Sequence, residues 1–585
     1  MTLLRRHWLI AVLLAAGVAL RILAQLAYHP ALIYADTLKY LYGAYPGSEP
    51  LGYTAALRLV LVAGGLGLVV LLQHLLGLAM AVMLYVVLLR RGAPPWLSAL
   101  AAAPVLLDAY QLQIEQMIMP ETLFEAMIVA GLAILLWRPA VGIRFAIAGG
   151  FLLGSAATVK QLGLMLFVPA VIFVLVSAGN WRRSVAMSGA LVAAFSLPVL
   201  GYCTYSYART GHFWLAHRQP VTGRLTAAAD CATLKLPAAV RPLCPTPAQQ
   251  ARGPDWLEHS AQSPLFKTPV QPGTRALLIS RLNSAVAHQQ PLRVAVAIVA
   301  DWGRLFVPAR TLVSSATPIS RWQFQTGYPT FPPWVKVNKA HEIVVGSQFR
   351  VGGPFYQSVL KPAYGGRAQV DRPIASFLRS YQLDGGYTPG PLLALCALAG
   401  LGASVIAVAR WRRPGSSRVT AAVLLFTATA ATLLLLPDVY EFTWRYQLPA
   451  LITLPPAGAL AVGALIARMP ARLPAGDPES VSGPGPGVVT QASGEGQREP
   501  DGLEDVLGRS GTGANASGES PGELPRAAAF APSRHRGAQA GEPGADTSLR
   551  AGPAAPLPRH RRDTMAAPWS TSIVKRTAKM DSLTG

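Results

Sequence analysis

Charged side chains are scarce in this chain. Asp, Glu, Lys and Arg make up 14% of it against 52% hydrophobic residues, and the mean hydropathy is positive. Such a balance excludes an ordinary water-soluble domain and indicates an integral membrane protein. Four cysteines are too few for a disulfide-built scaffold. Also missing are a Walker-type glycine loop and a Cys-x-x-Cys pair, the marks of nucleotide and dithiol chemistry. His341-Glu342 opens like a zinc-protease helix, but Val345 stands where the second ligand belongs. No Asp-x-Asp pair lies in an exposed loop, which weighs against a metal-chelated nucleotide-sugar donor. No repeat recurs at a fixed period.

The formal charge of +23 does not point to nucleic acid. The cations fall in short clusters between apolar runs: Arg5-Arg6, Arg90-Arg91, Arg182-Arg183, Arg412-Arg413, and Arg468 with Arg472. That is the positive-inside pattern of a polytopic protein, not a stripe for a polyanion.

What fills the chain is a succession of apolar runs of about 17–25 residues, enough to cross roughly 30 Å of hydrocarbon. They lie near 7–27, 73–89, 95–109 and 120–137, in a hairpin of two over 142–178, and near 185–205, 390–410, 419–436 and 447–467. The fold expected is an all-α polytopic membrane protein of about ten transmembrane helices, multi-pass in a bacterial plasma membrane, with both termini cytoplasmic. Arg5-Arg6 before an apolar run fits a signal peptide, yet the run continues to Arg21 and Tyr28 without a small-residue cleavage site, so it reads as a retained helix. The stretch 54–89 has room for two crossings; a second one would reverse all that follows, and the Arg clusters oppose it. A transporter would show helices broken at mid-membrane or repeat symmetry, and neither is visible in the sequence.

The domains expected are a transmembrane catalytic module over 1–205 with a first external loop at 28–72, an extracytoplasmic loop domain over 206–388, C-terminal transmembrane helices over 389–470, and a disordered cytoplasmic tail over 471–585. In the first loop Thr54 to Leu72 is apolar enough to lie against or re-enter the membrane, and Gln111–Met119 reads as an external loop. Val294 to Val307 reads as an amphipathic helix at the interface. Cys231 and Cys244 share the large external block, where an oxidising compartment favours a disulfide over two thiols. The tail is rich in Gly, Ser, Pro and Ala, its charges nearly cancel, and it cannot bury a core.

Acids at the membrane face are costly unless they have a partner or a task. Asp36 lies in an ionisable-poor stretch, followed by Tyr40 and Pro50-Leu51-Gly52-Tyr53; Gln73-His74-Leu75-Leu76-Gly77-Leu78 opens the second span. Tyr110-Gln111-Leu112-Gln113-Ile114-Glu115 and Met119-Pro120-Glu121-Thr122-Leu123-Phe124 follow the third span, and Arg445-Tyr446-Gln447-Leu448-Pro449 precedes the last. This ordered set resembles the GT-C glycosyltransferases, and among them bacterial members that use polyprenyl-phosphate sugars and are similar to protein O-mannosyltransferases and aminoarabinose transferases. The resemblance covers about 1–467, is densest over 28–125, and is thin over 206–388.

The resemblance implies transfer of one sugar from a polyprenyl-phosphate carrier to an envelope glycan, lipid or protein, with inversion at the anomeric carbon. Asp36 would be the base; the bland alternative is a helix cap or a pair with Lys39. Glu115 and Glu121 would position the acceptor, share a divalent cation with Asp36, or orient a cation, while Glu121 after Pro120 also suits a helix dipole. Lys160 and Arg445 would hold the donor phosphate, against simple snorkelling to the interface. Arg21 is a further cation candidate. Tyr40, Tyr53 and His74 are pocket candidates, although a histidine there is more often a packing residue. Asp438 and Glu441 stand close enough in sequence to pair with Arg445. Two other readings stay open: a transporter or lipid-linked-sugar flippase without covalent chemistry, and a non-catalytic envelope scaffold.

Overall fold

Prolines, glycines and short polar side chains decide where the helices of this chain begin and end. The structure, a computed structural model, describes residues 2–33, 36–42, 49–177, 180–216, 222–310, 322–327, 335–337, 343–345, 369–409 and 418–467. The tail over 471–585, His341-Glu342, Arg412-Arg413, and Arg468 with Arg472 lie outside the described residues.

The first apolar run forms α1 (Thr2–Ala27), and its Trp8, Val12, Ile22 and Leu26 are exposed. Hydrocarbon tolerates such a face and water does not. After strand β1 (Tyr28–His29) come α2 (Thr37–Tyr42), α3 (Gly52–Ala63) and α4 (Leu66–Arg90). The apolar stretch 54–72 is thus not one helix: Gly64 and Gly65 separate α3 from α4, and the span starts at Leu66. Pro95 opens α5 (Pro95–Leu107), and α6 (Ala109–Gln116) follows at a 48° bend. Asp108 makes the corner. Its carboxylate accepts the N–H groups of Tyr110 at 2.8 Å, Gln111 at 3.3 Å and Thr388 at 2.6 Å, capping α6 and tying it to the chain ahead of a later span.

The stretch 111–119, whose polarity reads as a loop, is therefore helical to Gln116 and buried. A helix broken at Asp108 also corrects the expectation that no span is interrupted.

Next come α7 (Glu121–Leu136), α8 (Ile143–Val159), a 3-10 turn (Gln161–Leu166), α9 (Phe167–Ser177) and α10 (Trp181–Thr210). Helices α8 and α10 meet at backbone distance. A Cβ on Gly150 would stand 2.4 Å from the Leu191 carbonyl oxygen and one on Gly154 2.1 Å from that of Phe195, so only hydrogen fits there.

The block between α10 and the C-terminal helices contains α11 (Thr222–Ala228), three short helices α12 (Pro247–Gln250), α13 (Pro254–His259) and α14 (Pro264–Lys267), and the longer α15 (Pro272–Gln289) and α16 (Pro291–Arg304). Leu225, Val240, Leu243, Leu265 and Leu282 form an apolar cluster of its own. The Cys231–Cys244 disulfide closes a loop beside it, with 6.0 Å between the Cα atoms. Strands β2 (Val335–Val337) and β3 (Ile343–Val345) pair antiparallel, and β4 (Gln369–Val370) pairs with β1, Tyr28 opposite Val370.

Helix α17 (Arg372–Leu383) leads to α18 (Gly390–Ala409), α19 (Arg418–Leu435) and α20 (Leu448–Ile466). Helix α20 is buried on nearly all sides, from Leu448 to Ala461, and packs against α5, α18 and α19 at the centre of the bundle.

A helix stands at each of the ten expected spans. Five stretches are long and apolar enough to cross a membrane: Arg5–Ala27, Leu66–Arg90, Trp181–Thr210, Ala421–Val439 and Trp444–Ile466. The α5–α6 pair makes a sixth if its halves count as one, and Gly52–Ala63, Ile143–Val159, Gln161–Ser177 and Gly390–Ile406 are shorter apolar helices. The protein is a mostly helical, multi-pass membrane protein.

Candidate functional site

Two backbone anchors carry Asp36 to its place. Leu32 N–H donates to the Gln116 carbonyl at 2.9 Å, and Ile118 N–H donates to the Leu32 carbonyl at 3.3 Å. The Thr37 hydroxyl then donates to the Ile118 carbonyl at 3.1 Å. Asp36 lies between these anchors, so the first acidic motif is sewn to the α6–α7 connection that carries the second. Glu121 begins α7, where the helix dipole favours a negative charge.

Two cations complete the cluster. Lys160 ends α8 in an extended conformation, and its Nζ stands 3.0 Å from Glu121 Oε1. Arg445 sits in a 3-10 turn (Trp444–Gln447) started by the Thr443 hydroxyl. Its Nη1 is 3.2 Å from Asp36 Oδ2, and its Nε is 3.4 Å from Glu121 Oε1. Four elements far apart in the chain thus meet in one chain of ion pairs: Asp36, Arg445, Glu121, Lys160. The side chains of Asp36, Arg445 and Lys160 keep 16–20% of their surface, while Glu121 keeps 4%. The cluster therefore has an open side and a buried floor.

Glu115 belongs to a second, fully buried network. Arg21 Nη2 donates to its Oε1 at 2.8 Å and Gln111 Nε2 donates to the same oxygen at 3.2 Å; His74 Nδ1 meets Oε2 at 2.9 Å. His74 Nε2 reaches Gln116 Oε1 at 2.9 Å, and Gln116 Nε2 donates to the Tyr28 carbonyl at 2.9 Å. The other Nη hydrogens of Arg21 go to the carbonyls of Gly17, Val105 and Leu106. Gly77 makes room: a Cβ there would stand 2.1 Å from Glu115 Oε1. Glu115, His74 and Arg21 are accordingly enclosed together, away from the open side. The geometry does not support grouping Glu115 with Asp36 and Glu121, nor His74 as a lining residue of the same pocket.

Gln73 links the two networks. Its Nε2 donates to the carbonyls of Glu115 at 2.7 Å and Met117 at 2.6 Å, and its Oε1 accepts the Tyr53 hydroxyl at 2.9 Å. Tyr53 meets Tyr40 edge to face at 5.1 Å. Burial pushes the Tyr40 hydroxyl well above the usual tyrosine range; Glu49, Asp36 and Glu121 add to that and Arg445 opposes it. Tyr40 is therefore a neutral hydrogen-bond donor beside the acids.

Arg310 is a participant that the sequence does not announce. Its guanidinium lies 3.8 Å from the Tyr387 ring centre, 5.1 Å from that of Tyr110 and 5.6 Å from that of Trp444, and it donates to Gln447 Oε1. It clamps both ends of the turn that holds Arg445. An isolated arginine in Val307-Pro308-Ala309-Arg310 carries no motif, so only the fold exposes it. Arg445 itself lies 5.5 Å from the Trp322 ring centre.

Asp438, near Arg445 in sequence, lies instead in the fields of Asp301, Arg224 and Arg304. Among the described residues no group of three or more His, Cys, Asp or Glu side chains is arranged to hold a metal ion. Asp36, Glu115 and Glu121 do not converge on one point, so the residues present do not fit a cation shared by those three.

No family model matches the chain, and no curated protein matches it. Among the solved structures similar to the chain are the following. The Saccharomyces cerevisiae protein O-mannosyltransferase Pmt1-Pmt2 complex, bound to its sugar donor, is 18% identical over 36% of this chain and 34% of its own, with a TM-score of 0.29. The oligosaccharyltransferase AglB of Archaeoglobus fulgidus, in complex with an inhibitory peptide and a dolichol-phosphate, is 11% identical over 79% and 51%, with a TM-score of 0.39. ArnT of Cupriavidus metallidurans, bound to undecaprenyl phosphate, is 14% identical over 78% of each chain, with a TM-score of 0.27. The chain thus spans about a third and about half of the first two. Likenesses this distant decide neither the fold nor the activity.

Proposed function

We propose that the protein is a membrane glycosyltransferase. In this reading it moves one sugar from a polyprenyl-phosphate carrier to a hydroxyl or amine of an envelope glycan, lipid or protein at the extracytoplasmic face of a bacterial plasma membrane. The observation that carries the reading is the meeting of Asp36, Glu121, Lys160 and Arg445 in one partly open cluster. It sits where α7 and α20 begin and α8 ends, beside the large external block, and its cations are of the kind that bind a single lipid phosphate.

The donor phosphodiester enters against Lys160 and Arg445. Its oxygens compete for Arg445 and release Asp36 from its ion pair. The acceptor oxygen or nitrogen attacks the anomeric carbon from the face opposite the phosphate, and Asp36 takes its proton. The bond from the anomeric carbon to the phosphate oxygen breaks, the electron pair leaves with the polyprenyl phosphate, and the two cations stabilise the charge that develops there. Inversion follows from a single displacement. Glu121 holds both cations in place and keeps Oε2 buried without a hydrogen-bond partner. The modules 1–205, 206–388 and 389–470 would then be catalytic bundle, acceptor-side domain and donor-side helices, with 471–585 a cytoplasmic tail.

One observation favours a flippase instead: the interruption at Asp108 between α5 and α6. Its polar groups are already bonded within the protein, through Asp108 to Tyr110, Gln111 and Thr388 and through Glu115 to Arg21 and His74. A structural corner accounts for it.

The test uses purified protein in detergent, radiolabelled polyprenyl-phosphate sugars and an envelope fraction as acceptor. Transfer by wild type that Asp36→Asn abolishes, with donor binding retained, is the expected result. Equal transfer by both proteins removes Asp36 from the reaction. Donor binding with no turnover by either moves the reading to a flippase.

A further inference from the structure

We propose that the outer face of α16 is a membrane-docking surface seated among the lipids of the leaflet nearest the external block. The placement of polar and apolar residues on this helix is the reverse of what water favours. Leu292, Ala295, Val296, Val299, Ala300 and Gly303 are all exposed, a ridge at the three- and four-residue spacing of one helix side. Leu292 is 76% exposed, Val296 59% and Val299 56%. The acid Asp301 points inward, 5% exposed, and is held by Arg224 and Arg304. A helix that buries its carboxylate and shows its valines has an apolar medium on the outside.

The surroundings identify that medium as lipid rather than another protein. The C-terminal end of α16 packs on the Pro437–Val439 turn and on α19. The Val307 carbonyl just beyond it lies so close to Gly390 that a Cβ there would stand 2.3 Å away. Gly390 is the first residue of α18, whose Leu392, Leu395 and Leu398 are 47–65% exposed and face outward from the bundle. The ridge on α16 is thus joined, through Val307 and Gly390, to the exposed apolar side of α18, itself one of the shorter apolar helices. Arg293 and Arg304, near its two ends, keep 56% and 42% of their side-chain surface, placed for headgroup phosphates. The inference depends on the spans, not on the transferase reading.

Site-directed spin labelling of the full chain in vesicles of phosphatidylethanolamine and phosphatidylglycerol tests it. Nitroxides are placed through Leu292→Cys, Val296→Cys and Val299→Cys, with Leu398→Cys as the lipid reference and Ser284→Cys on the exposed side of α15 as the water reference. The expected result is a ratio of oxygen to nickel-chelate accessibility several-fold above that of Ser284→Cys and close to that of Leu398→Cys. Ratios matching Ser284→Cys overturn the proposal. So does shielding from both reagents, which means that a protein partner or a second copy covers the face. Quenching of a fluorescent label at the same sites by brominated lipid gives an independent second reading.

Discussion

Lys160 Nζ stands 3.0 Å from Glu121 Oε1, the same oxygen that Arg445 Nε approaches at 3.4 Å. One buried carboxylate oxygen therefore sets the spacing of two cations. Glu121→Gln keeps the shape and removes the charge. We expect kcat/KM for transfer to fall by about 10²-fold or more, with a lower Tm because two partly buried cations lose their counter-charge. Unchanged donor affinity and turnover would show that Glu121 has no part in placing them.

Lys160 and Arg445 meet on a shared partner, so their effects should not add. Lys160→Ala and Arg445→Ala are each expected to raise the KM for donor, and a double-mutant cycle should reveal coupling of about 0.5–3 kcal/mol. Arg445→Lys should restore charge but little activity, because the planar fork spans Asp36 and Glu121 as an ammonium cannot. Full rescue by lysine would reduce Arg445 to a point charge.

Gly77→Ala tests whether Glu115 works structurally. The added methyl would collide with Glu115 Oε1 and the Arg21 guanidinium. We expect a loss of about 1–3 kcal/mol in stability and donor binding within a few-fold of wild type in the protein that folds. Normal stability with collapsed donor binding would place Glu115 at the reacting centre after all.

Tyr40 supplies a pH dependence. Its folded-state pKa is raised, so above the ordinary tyrosine value of about 10 the folded protein holds a proton that the unfolded chain releases. Stability must then fall as pH rises through that region. Tyr40→Phe should flatten this alkaline decline in a Tm-against-pH series; an identical slope in both proteins would count against the assignment.

The Cys231–Cys244 bond closes a loop with a sequence separation of 13. A loop of about 15 residues is worth roughly 3 kcal/mol in chain entropy. Cys231→Ser with Cys244→Ser should raise hydrogen exchange around Leu225, Val240 and Leu282 while leaving amides of α7 and α20 protected. Uniform loosening of the whole chain would show that the block around this disulfide does not open independently.

Much of this molecule was legible before any coordinates because lipid imposes a plain rule. A helix in hydrocarbon must be apolar along its length, so the apolar runs mark where helices form, and five of those helices are long enough to cross a membrane. Asp36 stands out in an ionisable-poor stretch, whereas Glu121, Lys160 and Arg445 are singled out by the family resemblance; the fold brings the four together. What escaped was pairing. Gln111, Gln113, Glu115 and Gln116 look like a watered loop when their neighbours are unknown. In the fold Gln113 accepts from Gln382, while Gln111, Glu115 and Gln116 join Arg21, His74 and Tyr28. Polarity is readable from a sequence; the identity of the partner that satisfies it is not.

The pair Asp36 and Arg445 is separated by 409 positions. Synthesis therefore makes the acid early and its guanidinium partner late, just ahead of the final helix. Every shorter nascent chain carries the acidic half of the cluster without this counter-charge. A chain that ends before Arg445 has the Glu121–Lys160 pair but lacks both contacts of Arg445. Placement of the Trp444–Gln447 turn at the head of α20 is thus the event that joins Asp36 to Glu121.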